Sequence, residues 1–449
     1  MSTAVLFTDA RYLDPVTGEW EVADLEVRDG RFTRITPVTE RGADDDREDS
    51  DQPQGTDPQR GTDPQQDADP QQDAARHDGT STIDLQGKYV LPGLIDCHVH
   101  VYAMTANLGE LEHIAPSYAA MHAARLMGDM LDRGFTTVRD VAGGDHGLAM
   151  AQEEGMLRGP RLFFGGKSLS QTGGHGDTRG PGQHLSGAVP CCAGISVIAD
   201  GPDAVRAAAR DQLRTGAHHI KIMAGGGVAS PTDRVDSLQY SLAEMRAAVE
   251  EATDANRYVA AHAYTPAAIQ RALEAGVRSI EHANLLDEAT AEAIGEAGAF
   301  VTMNLVTYWA LKEFGASMGL PPASQAKVDD VLQAGENALQ IADRLGLDLC
   351  FGTDLLGGMQ IHQSREFAIR ARLQDPIDVI RGATTTAARL LERQGELGEI
   401  RKGAFADLLV LDRDPLQDLT ALSEPDPVLV VQGGRVVGGR ERSSHPSAS

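Results

Sequence analysis

The stretch LIDCHVH, residues 94–100, is a short apolar segment that ends in two histidines. Seven further segments of similar length follow it, and most are separated by Ala-, Glu- and Leu-rich stretches with helical apolar spacing. The eight predicted strands are LIDCHVH (94–100), FTTVRDV (135–141), RLFFGG (161–166), HIKIMA (219–224), YVAAHAY (258–264), SIEHAN (279–284), FVTMNL (300–305) and DLCFGTDL (348–355). Strands that alternate with helices in this way predict an α/β fold, a closed parallel (β/α)8 TIM barrel whose strand ends meet at one site.

The two ends of the chain predict a smaller unit made of β-strands. Residues 1–38 contain strand-like segments with a hairpin turn at Asp29-Gly30, and residues 395–415 and 427–439 are strand-like again. We expect both ends to pair into a small β-sandwich domain that flanks the barrel. The expected divisions are 1–92 and 386–440 for the β domain, 93–385 for the barrel and 441–449 for a tail.

Residues 41–80 have a different composition from the rest of the chain. They are rich in Asp, Gln, Pro and Gly, with an imperfect repeat (GTDPQR, GTDPQQ, DADPQQ) and almost no apolar residues. Such a stretch cannot bury enough apolar surface to become ordered. It predicts a disordered polar insert between two strands, and a binding tail or a salt adaptation is the alternative interpretation.

The amino-acid composition of the chain disfavours several classes of function. The formal net charge of −26 disfavours binding to nucleic acid and to anionic membranes. No apolar run reaches the length of about 18 residues that a membrane-spanning helix needs, and the start of the chain lacks signal-peptide features. The cysteines do not form a secreted disulfide pattern, and we expect a cytoplasmic protein. Cys191 and Cys192 are adjacent and are interpreted as loop thiols, with redox or metal chemistry as the alternative.

His98 and His100 are spaced i, i+2 on the first predicted strand. Successive side chains of a strand alternate faces, so both imidazoles point into the barrel while Cys97 and Val99 point outward. Such a pair can bind a metal ion, or each histidine can be a hydrogen-bonded core residue. The position at the end of a barrel strand favours the metal, because catalytic groups of such barrels gather there.

Four later residues extend this pattern. Lys221 lies inside an apolar strand, where a lysine is costly unless it is paired or chemically altered. Desolvation favours its neutral amine, which can take up CO₂ to form a carbamate that bridges two cations; a salt bridge to a barrel carboxylate is the alternative. His262 and His282 end later strands and suit a zinc-like ion. Asp354 ends the last strand, and its carboxylate can bind metal and accept a proton from water.

With the motifs GLIDCHVH, KIMAGGGV, AHAY, EHAN and GTD, and with GEIRKGAFADLLVLDRDP near its end, the chain resembles the amidohydrolase superfamily over nearly its whole length. The resemblance implies two divalent metal ions, expected to be zinc, although Mn, Co and Fe can occupy such sites. The ligands that it implies are His98, His100 and Asp354 for one ion, His262 and His282 for the other, and carboxylated Lys221 as the bridge.

Within the superfamily the chain is similar to the prolidase-like branch, whose members cleave dipeptides or N-acyl amino acids and include ochratoxin-hydrolysing enzymes. The segments that carry this likeness are TGGHGD (172–177), KI (221–222), GGGV (225–228) and Tyr264. The resemblance implies that Tyr264 and His175 contact the substrate. Arg179 is a further candidate for binding a substrate carboxylate, with a solvated loop cation as the alternative.

We therefore expect a metal-dependent hydrolase that cleaves the amide bond of a Xaa-Pro dipeptide or an N-acyl amino acid, ochratoxin-like amides included, through metal-activated hydroxide. Asp354 would take the proton and pass it to the leaving nitrogen, and Tyr264 or His175 would stabilise the oxyanion or hold the substrate carboxylate. A hydrolase of a cyclic amide, carbamate, urea or imidazolone is the first alternative, and a non-catalytic scaffold is the second. The expected partner is a dipeptide or other small-molecule substrate, and the likeness implies a homo-oligomer.

Overall fold

The computed structural model of the protein describes residues 4–40, 80–180, 194–230, 233–423 and 426–442. Apart from Thr80, the predicted insert lies outside these residues, and so do Cys191, Cys192 and the tail beyond Arg442. The strands are β1 (Ala4–Asp14), β2 (Glu19–Arg28), β3 (Arg31–Pro37), β4 (Ser81–Asp84), β5 (Tyr89–Pro92), β6 (Leu94–Val99), β7 (Phe135–Asp140), β8 (Arg161–Phe164), β9 (Ser168–Ser170), β10 (Ser196–Ile198), β11 (His219–Met223), β12 (Tyr258–Ala263), β13 (Ser279–His282), β14 (Phe300–Met303), β15 (Asp348–Phe351), β16 (Leu408–Leu411), β17 (Leu429–Gln432) and β18 (Arg435–Gly438).

Helices follow most of the strands of the central part of the chain. They are α1 (Pro116–Asp132), α2 (His146–Glu153), α3 (Pro202–Arg214), α4 (Leu242–Asp254), α5 (Pro266–Ala275), α6 (Glu288–Ala297), α7 (Leu305–Phe314), α8 (Pro322–Gln325), α9 (Val328–Arg344), α10 (Arg365–Arg370), α11 (Pro376–Gly382) and α12 (Thr385–Leu390). No helix formed by the described residues is both long enough and apolar enough to cross a membrane.

Capping residues set the ends of the helices. α4 begins with a capping box, in which the Ser241 side chain accepts from the Glu244 backbone while the Glu244 side chain accepts from the Ser241 backbone. α5 begins with Thr265 as N-cap and Pro266 in its first turn, and it ends at Gly276 in the left-handed conformation. These local preferences start α5 directly after the end of β12, whereas a longer loop separates α4 from the end of β11.

The two ends of the chain form one sheet of eight strands. Its order is β18-β17-β16-β5-β1-β2-β3, and β4 also pairs with β1. The predicted hairpin is present, because Arg28 pairs with Arg31 around Asp29 and Gly30, which both have positive φ as a tight two-residue turn requires. By its hydrogen bonds this unit is a single sheet, and one cluster of buried apolar side chains from both chain ends covers it.

The central part of the chain forms parallel strands, and each of the eight strands predicted there is present. Three of them pair in the order β6-β7-β8. The other five pair in a second group that also contains β9 and β10, in the order β10-β9-β11-β12-β13-β14-β15. Backbone hydrogen bonds also join the two groups, since the amides of Thr353 and Asp354 donate to the carbonyl of His98 at 3.3 and 2.8 Å. The α/β class is therefore confirmed. β9 and β10 were not predicted, because each has three residues and a serine-containing sequence without a clear apolar pattern.

The parallel strands are buried on both faces. Every residue of β6, β7, β11 and β12 is buried, as expected for strands that are covered on both sides. One side packs against helices, and Cys97 lies there with Cys350 against the buried side chains of α12. Polar and charged residues on the other side need partners inside the protein, and these residues form the site described below.

Gly93 connects the eight-stranded sheet to the first parallel strand and offers a test of this packing. A Cβ atom at Gly93 would lie 2.1 Å from Oγ1 of Thr136 and 2.8 Å from Cβ of Asp407. We expect Gly93→Ala to lower the free energy of unfolding by about 2 kcal/mol or more, because the strands must separate to admit the methyl group. The control is Gly128→Ala in α1, where the nearest atom lies 3.5 Å away. Equal denaturation midpoints for the two variants would contradict the prediction.

Candidate metal centre

Five of the six predicted metal ligands lie at or just beyond the C-terminal ends of parallel strands, and Lys221 lies in the middle of its strand. His98 lies in β6 and His100 follows it, Lys221 lies in β11 and His262 in β12, His282 ends β13, and Asp354 follows β15. These residues line one pocket of about 650 Å³ that opens to solvent, and Tyr264 and His175 line it too. The structure thus brings together residues that are spread over more than half of the sequence.

A buried chain of charged groups holds His98. Its Nδ1 lies 2.8 Å from Oε2 of Glu281, and Arg139 donates to both oxygens of the same carboxylate at 2.8 and 2.9 Å. Burial would raise the pKa of Glu281, but the Arg139 guanidinium and the hydrogen bond from His98 hold this pKa well below its usual range. Because ionised Glu281 accepts the Nδ1 proton, Nε2 of His98 keeps its lone pair and faces Asp354, 3.4 Å away.

A backbone carbonyl orients His100. Nδ1 of His100 lies 2.8 Å from the carbonyl oxygen of Ala142, which can only accept, so Nε2 is left for the site. Asp140 holds this loop, because its side chain accepts from the amide of Val101 at 2.6 Å and from that of Gly144 at 2.8 Å. Burial would lower the pKa of His100, but the hydrogen bond to Asp354 and that carboxylate's charge raise it above its ordinary value. The surroundings of His100 therefore favour a positive charge.

The other two histidines are oriented by a carbonyl and a phenol. Nε2 of His262 lies 3.1 Å from the carbonyl oxygen of Gly226, which leaves Nδ1 for the site. Nδ1 of His282 lies 3.2 Å from Oη of Tyr308, which itself donates to Oη of Tyr264 at 2.8 Å. Since the proton of Tyr308 is donated to Tyr264, Nδ1 of His282 must donate its own proton to Tyr308. Nε2 of His282 is then left for the site. Burial lowers the pKa of both histidines well below the ordinary value, so both are neutral imidazoles, the form that binds metal.

This donor set fits divalent metal ions. Each of the four histidines has one ring nitrogen engaged by a carboxylate, carbonyl or phenol that orients the ring, and the second nitrogens of His98 and His100 both face the Asp354 carboxylate. The ligand atoms of His98, His100 and Asp354 lie within 4.8 Å of one another. Imidazole nitrogens held in a fixed tautomer, with a carboxylate beside them, are the ligands of zinc and similar ions. The arrangement is a candidate metal site.

Asp354 is the carboxylate shared by this group. Its Oδ1 lies 3.1 Å from Nε2 of His100, and its Oδ2 lies 3.8 Å from Nδ1 of His282. Burial would raise the pKa of Asp354, but the nearby His98 and the hydrogen bond from His100 hold it well below the usual range. Asp354 and His282 have φ values of 52° and 78°, a conformation that costs free energy in residues other than glycine and that gathers at functional sites.

Lys221 is 2 % exposed and faces the same pocket. No residue among those described forms an ion pair with its ammonium group, so the salt bridge considered as the alternative is not formed there. Burial lowers the pKa of Lys221 from 10.5 to about 8, although Glu281 and Asp354 oppose this shift. A buried lysine without a carboxylate partner fits a group that is to be chemically altered.

His175 lies over His262, with the two rings stacked at 4.2 Å between centroids. Its Nδ1 lies 2.9 Å from Oγ of Ser230 and 3.4 Å from Oδ2 of Asp233, in the loop that follows β11. The ammonium of Lys327 lies 3.7 Å from Oδ1 of Asp233 and donates to three backbone carbonyls of the same loop. The loop thus holds His175 at the edge of the pocket.

Arg179 does not face the pocket with the other candidates. Its guanidinium donates to both oxygens of Asp177 at 2.7 and 2.5 Å. The neighbouring residues Gly176 and Thr178 line the pocket, whereas Arg179 does not. Its charge is already neutralised within the loop, which gives no support for a role in binding a substrate carboxylate.

Sequence reasoning missed four residues that orient the site: Arg139, Glu281, Tyr308 and Asp233. Arg139 and Glu281 are charged residues inside wholly buried strands. The argument that singled out Lys221 applies equally to both of them and would have identified them as a buried pair. Tyr308 lies in a helix and Asp233 in a loop, where no apolar pattern marks them.

Comparison with known proteins places these observations in a family. The family model described as "Amidohydrolase family" matches residues 89–437. An ochratoxinase of Aspergillus niger is 35% identical over 373 residues, which cover 78% of this chain and 76% of that protein. A prolidase solved with N-methylphosphonate-L-proline is 42% identical, with a TM-score of 0.85 over 97% of this chain and 99% of that one. The structure of another amidohydrolase is 41% identical, with a TM-score of 0.85 over 97% and 98% of the two chains.

The role of Glu281 can be tested with a charge-neutral variant. In Glu281→Gln the acceptor of the His98 proton is weakened and the charge beside Arg139 is lost. We expect metal affinity to fall about 10- to 100-fold, as for other groups that orient a metal-binding histidine. The measurement is metal release in competition with a chelator of known affinity.

The matched control is Glu366→Gln. Glu366 is equally buried and is paired with Arg370, outside the pocket lining. Both variants should lose stability, because each leaves a buried arginine without its anion. Only Glu281→Gln should lose metal affinity, and an equal loss in both variants would show that the effect is merely structural.

Proposed function

The chain belongs to the amidohydrolase family and is a hydrolase of carbon–nitrogen bonds, and from this premise we propose that it cleaves the amide bond of an N-acyl amino acid or a Xaa-Pro dipeptide. One observation carries the proposal: four buried histidines each have one ring nitrogen engaged by the protein, around a pocket that also holds a carboxylate and a buried lysine that forms no ion pair with another described residue. The ochratoxinase and the prolidase to which the chain is similar support this substrate class.

The proposed centre binds two divalent ions, for which zinc suits the imidazole-rich donor set. The proposed ligands are His98, His100 and Asp354 for one ion, His262 and His282 for the other, and carboxylated Lys221 for both. When bound, the ions supply Lewis acidity, which lowers the pKa of water and polarises the amide carbonyl. The Lys221 nitrogen forms its bond to the carbon of CO₂ and releases one proton to solvent, and its burial without an ion pair favours this product.

Asp354 is the proposed proton carrier of the reaction. It is ionised, and its carboxylate lies beside His98 and His100, where the attacking water has to be positioned. As the water oxygen bonds to the amide carbon, Asp354 accepts its proton. It then gives this proton to the nitrogen as the carbon–nitrogen bond breaks, so that a carboxylic acid and a free amine leave.

Tyr264 and His175 are the proposed substrate contacts. Oη of Tyr264 accepts the hydrogen bond from Tyr308, so the proton of Tyr264 is free to point into the pocket. Burial raises the pKa of Tyr264, which keeps this proton in place at neutral pH. Its hydrogen bond can be donated to the developing oxyanion or to the substrate carboxylate. His175, whose ring stacks on that of His262, is the second proposed contact.

The two groups of parallel strands are proposed to close into one (β/α)8 barrel beside a β domain. Support comes from the hydrogen bonds between the ends of β15 and β6, and from β8 and β9, which follow each other closely and pair with different groups. The proposed β domain consists of residues 1–92 and of the part of the chain that follows the barrel. Since α12 packs against Ile95, Cys97 and Cys350, we assign it to the barrel, which then ends after Leu391 rather than at 385.

Asp354→Asn tests the proton carrier. We expect kcat to fall by about 10³-fold, because an amide cannot accept the proton of the attacking water, while the circular dichroism spectrum and melting temperature stay close to those of the parent. Metal content is measured on the same sample. An Asn variant that retains metal and turns over at the parental rate would refute the role of Asp354 as base.

Lys221→Ala tests the bridge. We expect the variant to retain fewer metal ions per chain than the parent after identical loading with zinc and bicarbonate, because the shared ligand is gone. Elemental analysis measures this number, with Lys312→Ala on the surface as control. Retention of the parental metal number by Lys221→Ala would rule out the bridging assignment.

The proposed function as a whole is tested by metal content together with hydrolysis of a panel of Xaa-Pro dipeptides, N-acyl amino acids and cyclic amides. About two ions per chain with cleavage of the linear amides is the expected result. Cleavage of cyclic amides alone would contradict the proposed substrate class. Absence of bound metal after loading would contradict the proposed centre itself.

A further inference from the structure

The ammonium group of Lys327 is surrounded by oxygen atoms of the loop that follows β11. Lys327 directly precedes α9, and its Nζ donates to the carbonyl oxygens of Gly227, Ser230 and Asp233 at 3.0, 3.3 and 2.7 Å. Oδ1 of Asp233 lies 3.7 Å from the same nitrogen. An ammonium has three protons, so the three carbonyls engage all of them. Carbonyl and carboxylate oxygens are also the ligands that hard cations prefer, so this loop offers a cation site that a lysine from a distant part of the chain fills.

The oxygen atoms of this site need a positive charge. The side chain of Asp233 is 2 % exposed, and its amide and hydroxyl donors are neutral: the backbone of Gly227 at 3.1 Å, the side chain of Gln239 at 2.9 Å and the hydroxyl of Ser230. A buried carboxylate that loses its cation is costly, and carbonyl dipoles that point at one position repel each other once the charge is removed. Loss of the ammonium therefore favours loop conformations in which these oxygens turn towards water.

The same loop forms part of the candidate pocket. Val228 and Ala229, which lie between two of the carbonyls, line the pocket. The backbone of Gly227 packs so closely against His175 that a Cβ atom there would lie 2.2 Å from Cε1 of the ring. Nδ1 of His175 also lies 3.4 Å from Oδ2 of Asp233. A displacement of this loop therefore moves both an apolar wall of the pocket and a proposed substrate contact.

Lys327 joins this loop to another wall of the pocket. It follows α7 and α8 in the chain, and Thr307 and Leu311 of α7 line the pocket. Ser324 of α8 adds a second contact, because its Oγ donates to the carbonyl oxygen of Ser230 at 3.3 Å. One charged and one neutral contact thus hold the loop after β11 to the segment that follows β14.

We infer that Lys327 is a positioning residue. Its ammonium occupies a cation site formed by the three carbonyls and the Asp233 carboxylate, and this charge holds His175 and the neighbouring pocket wall in place for substrate binding. The cation site is independent of the reaction, whereas its effect on substrate binding rests on the proposed function. Lys327 is not among the residues that line the pocket, so its loss should weaken substrate binding more than it slows the breaking of the bond.

Chemical rescue of Lys327→Ala tests the cation site. Beyond Cβ the variant lacks three methylene groups and the ammonium, which are the atoms that propylammonium supplies. We expect hydrogen–deuterium exchange of residues 225–230, followed by mass spectrometry on zinc-loaded full-length protein, to become about tenfold faster in the variant, because the loop opens more often. Propylammonium chloride should return the exchange close to the parental rate. Tetramethylammonium, which has a charge but no N–H group, is the control for ionic strength and should not.

The effect on the pocket is measured by steady-state kinetics with the panel substrate that the parent hydrolyses fastest. We expect KM to rise about tenfold in Lys327→Ala, with kcat within about threefold of the parent, because a displaced loop misplaces a binding group and not the proton carrier. Metal content per chain should equal that of the parent. Propylammonium should lower KM again.

Two further variants separate the charge from the space that it occupies. Lys327→Met keeps the length of the side chain without its charge, so it should show the faster exchange and the higher KM, and propylammonium should not reverse them because the space is filled. Lys312→Ala removes the partner of Asp329 on the surface near the start of α9, and it should change neither quantity.

The remaining outcomes are distinct. Parental exchange and KM in both Lys327 variants would overturn the inference, and so would changes in Lys327→Ala that propylammonium does not reverse. Reversible changes in exchange with a parental KM would overturn the role in substrate binding. Reversible changes in exchange, in a protein that cleaves no substrate of the panel, would overturn the proposed function and leave the cation site in place.

Discussion

The buried guanidinium of Arg139 connects the two groups of parallel strands and the candidate site. It extends from β7 and donates to the carbonyl of Cys97 in β6, to Ser279 and Glu281 in β13, and to Thr302 in β14. A fully buried charge is tolerated only with its partner, and loss of one member of such a pair is strongly destabilising. Because Glu281 is also the acceptor that fixes His98, the same ion pair that holds the strands together determines which nitrogen faces the metal position.

The parallel strands could be predicted because most of them are short segments rich in apolar residues, which stand out against the amphipathic helices between them. The small strands β9 and β10 could not, since they have three residues each and depend on neighbours that are distant in sequence. The pairing of the terminal strands illustrates the same limit, while their expected arrangement as a β-sandwich stays a prediction. Alternation predicts that a strand has two different faces, but the pairing of β5 with both β1 and β16 into one sheet depends on tertiary contacts.

The candidate metal ligands could be predicted to lie together because their residue types recur at the ends of successive strands, and in the structure they line one pocket. The orientation of each histidine ring could not be predicted from the sequence. It depends on acceptors such as the carbonyl of Gly226, in a loop so tight that a Cβ there would lie 1.8 Å from the carbonyl oxygen of Arg234. Likewise, the positive φ of His282 and Asp354 turns side chains at strand ends towards the pocket, and nothing in the pattern of apolar residues predicts such a backbone.

The sheet formed by both chain ends constrains the order of events during synthesis. β1 pairs with β2, β4 and β5, all made early, whereas the other neighbour of β5 is β16, which the ribosome makes only after all the parallel strands. Until then β5 presents an unpaired edge, and such edges recruit strands of other chains. Non-local pairing of this kind is slow to form. The nascent chain therefore passes through a period in which the sheet of its terminal strands is incomplete and the edge of β5 is open to strands of other chains.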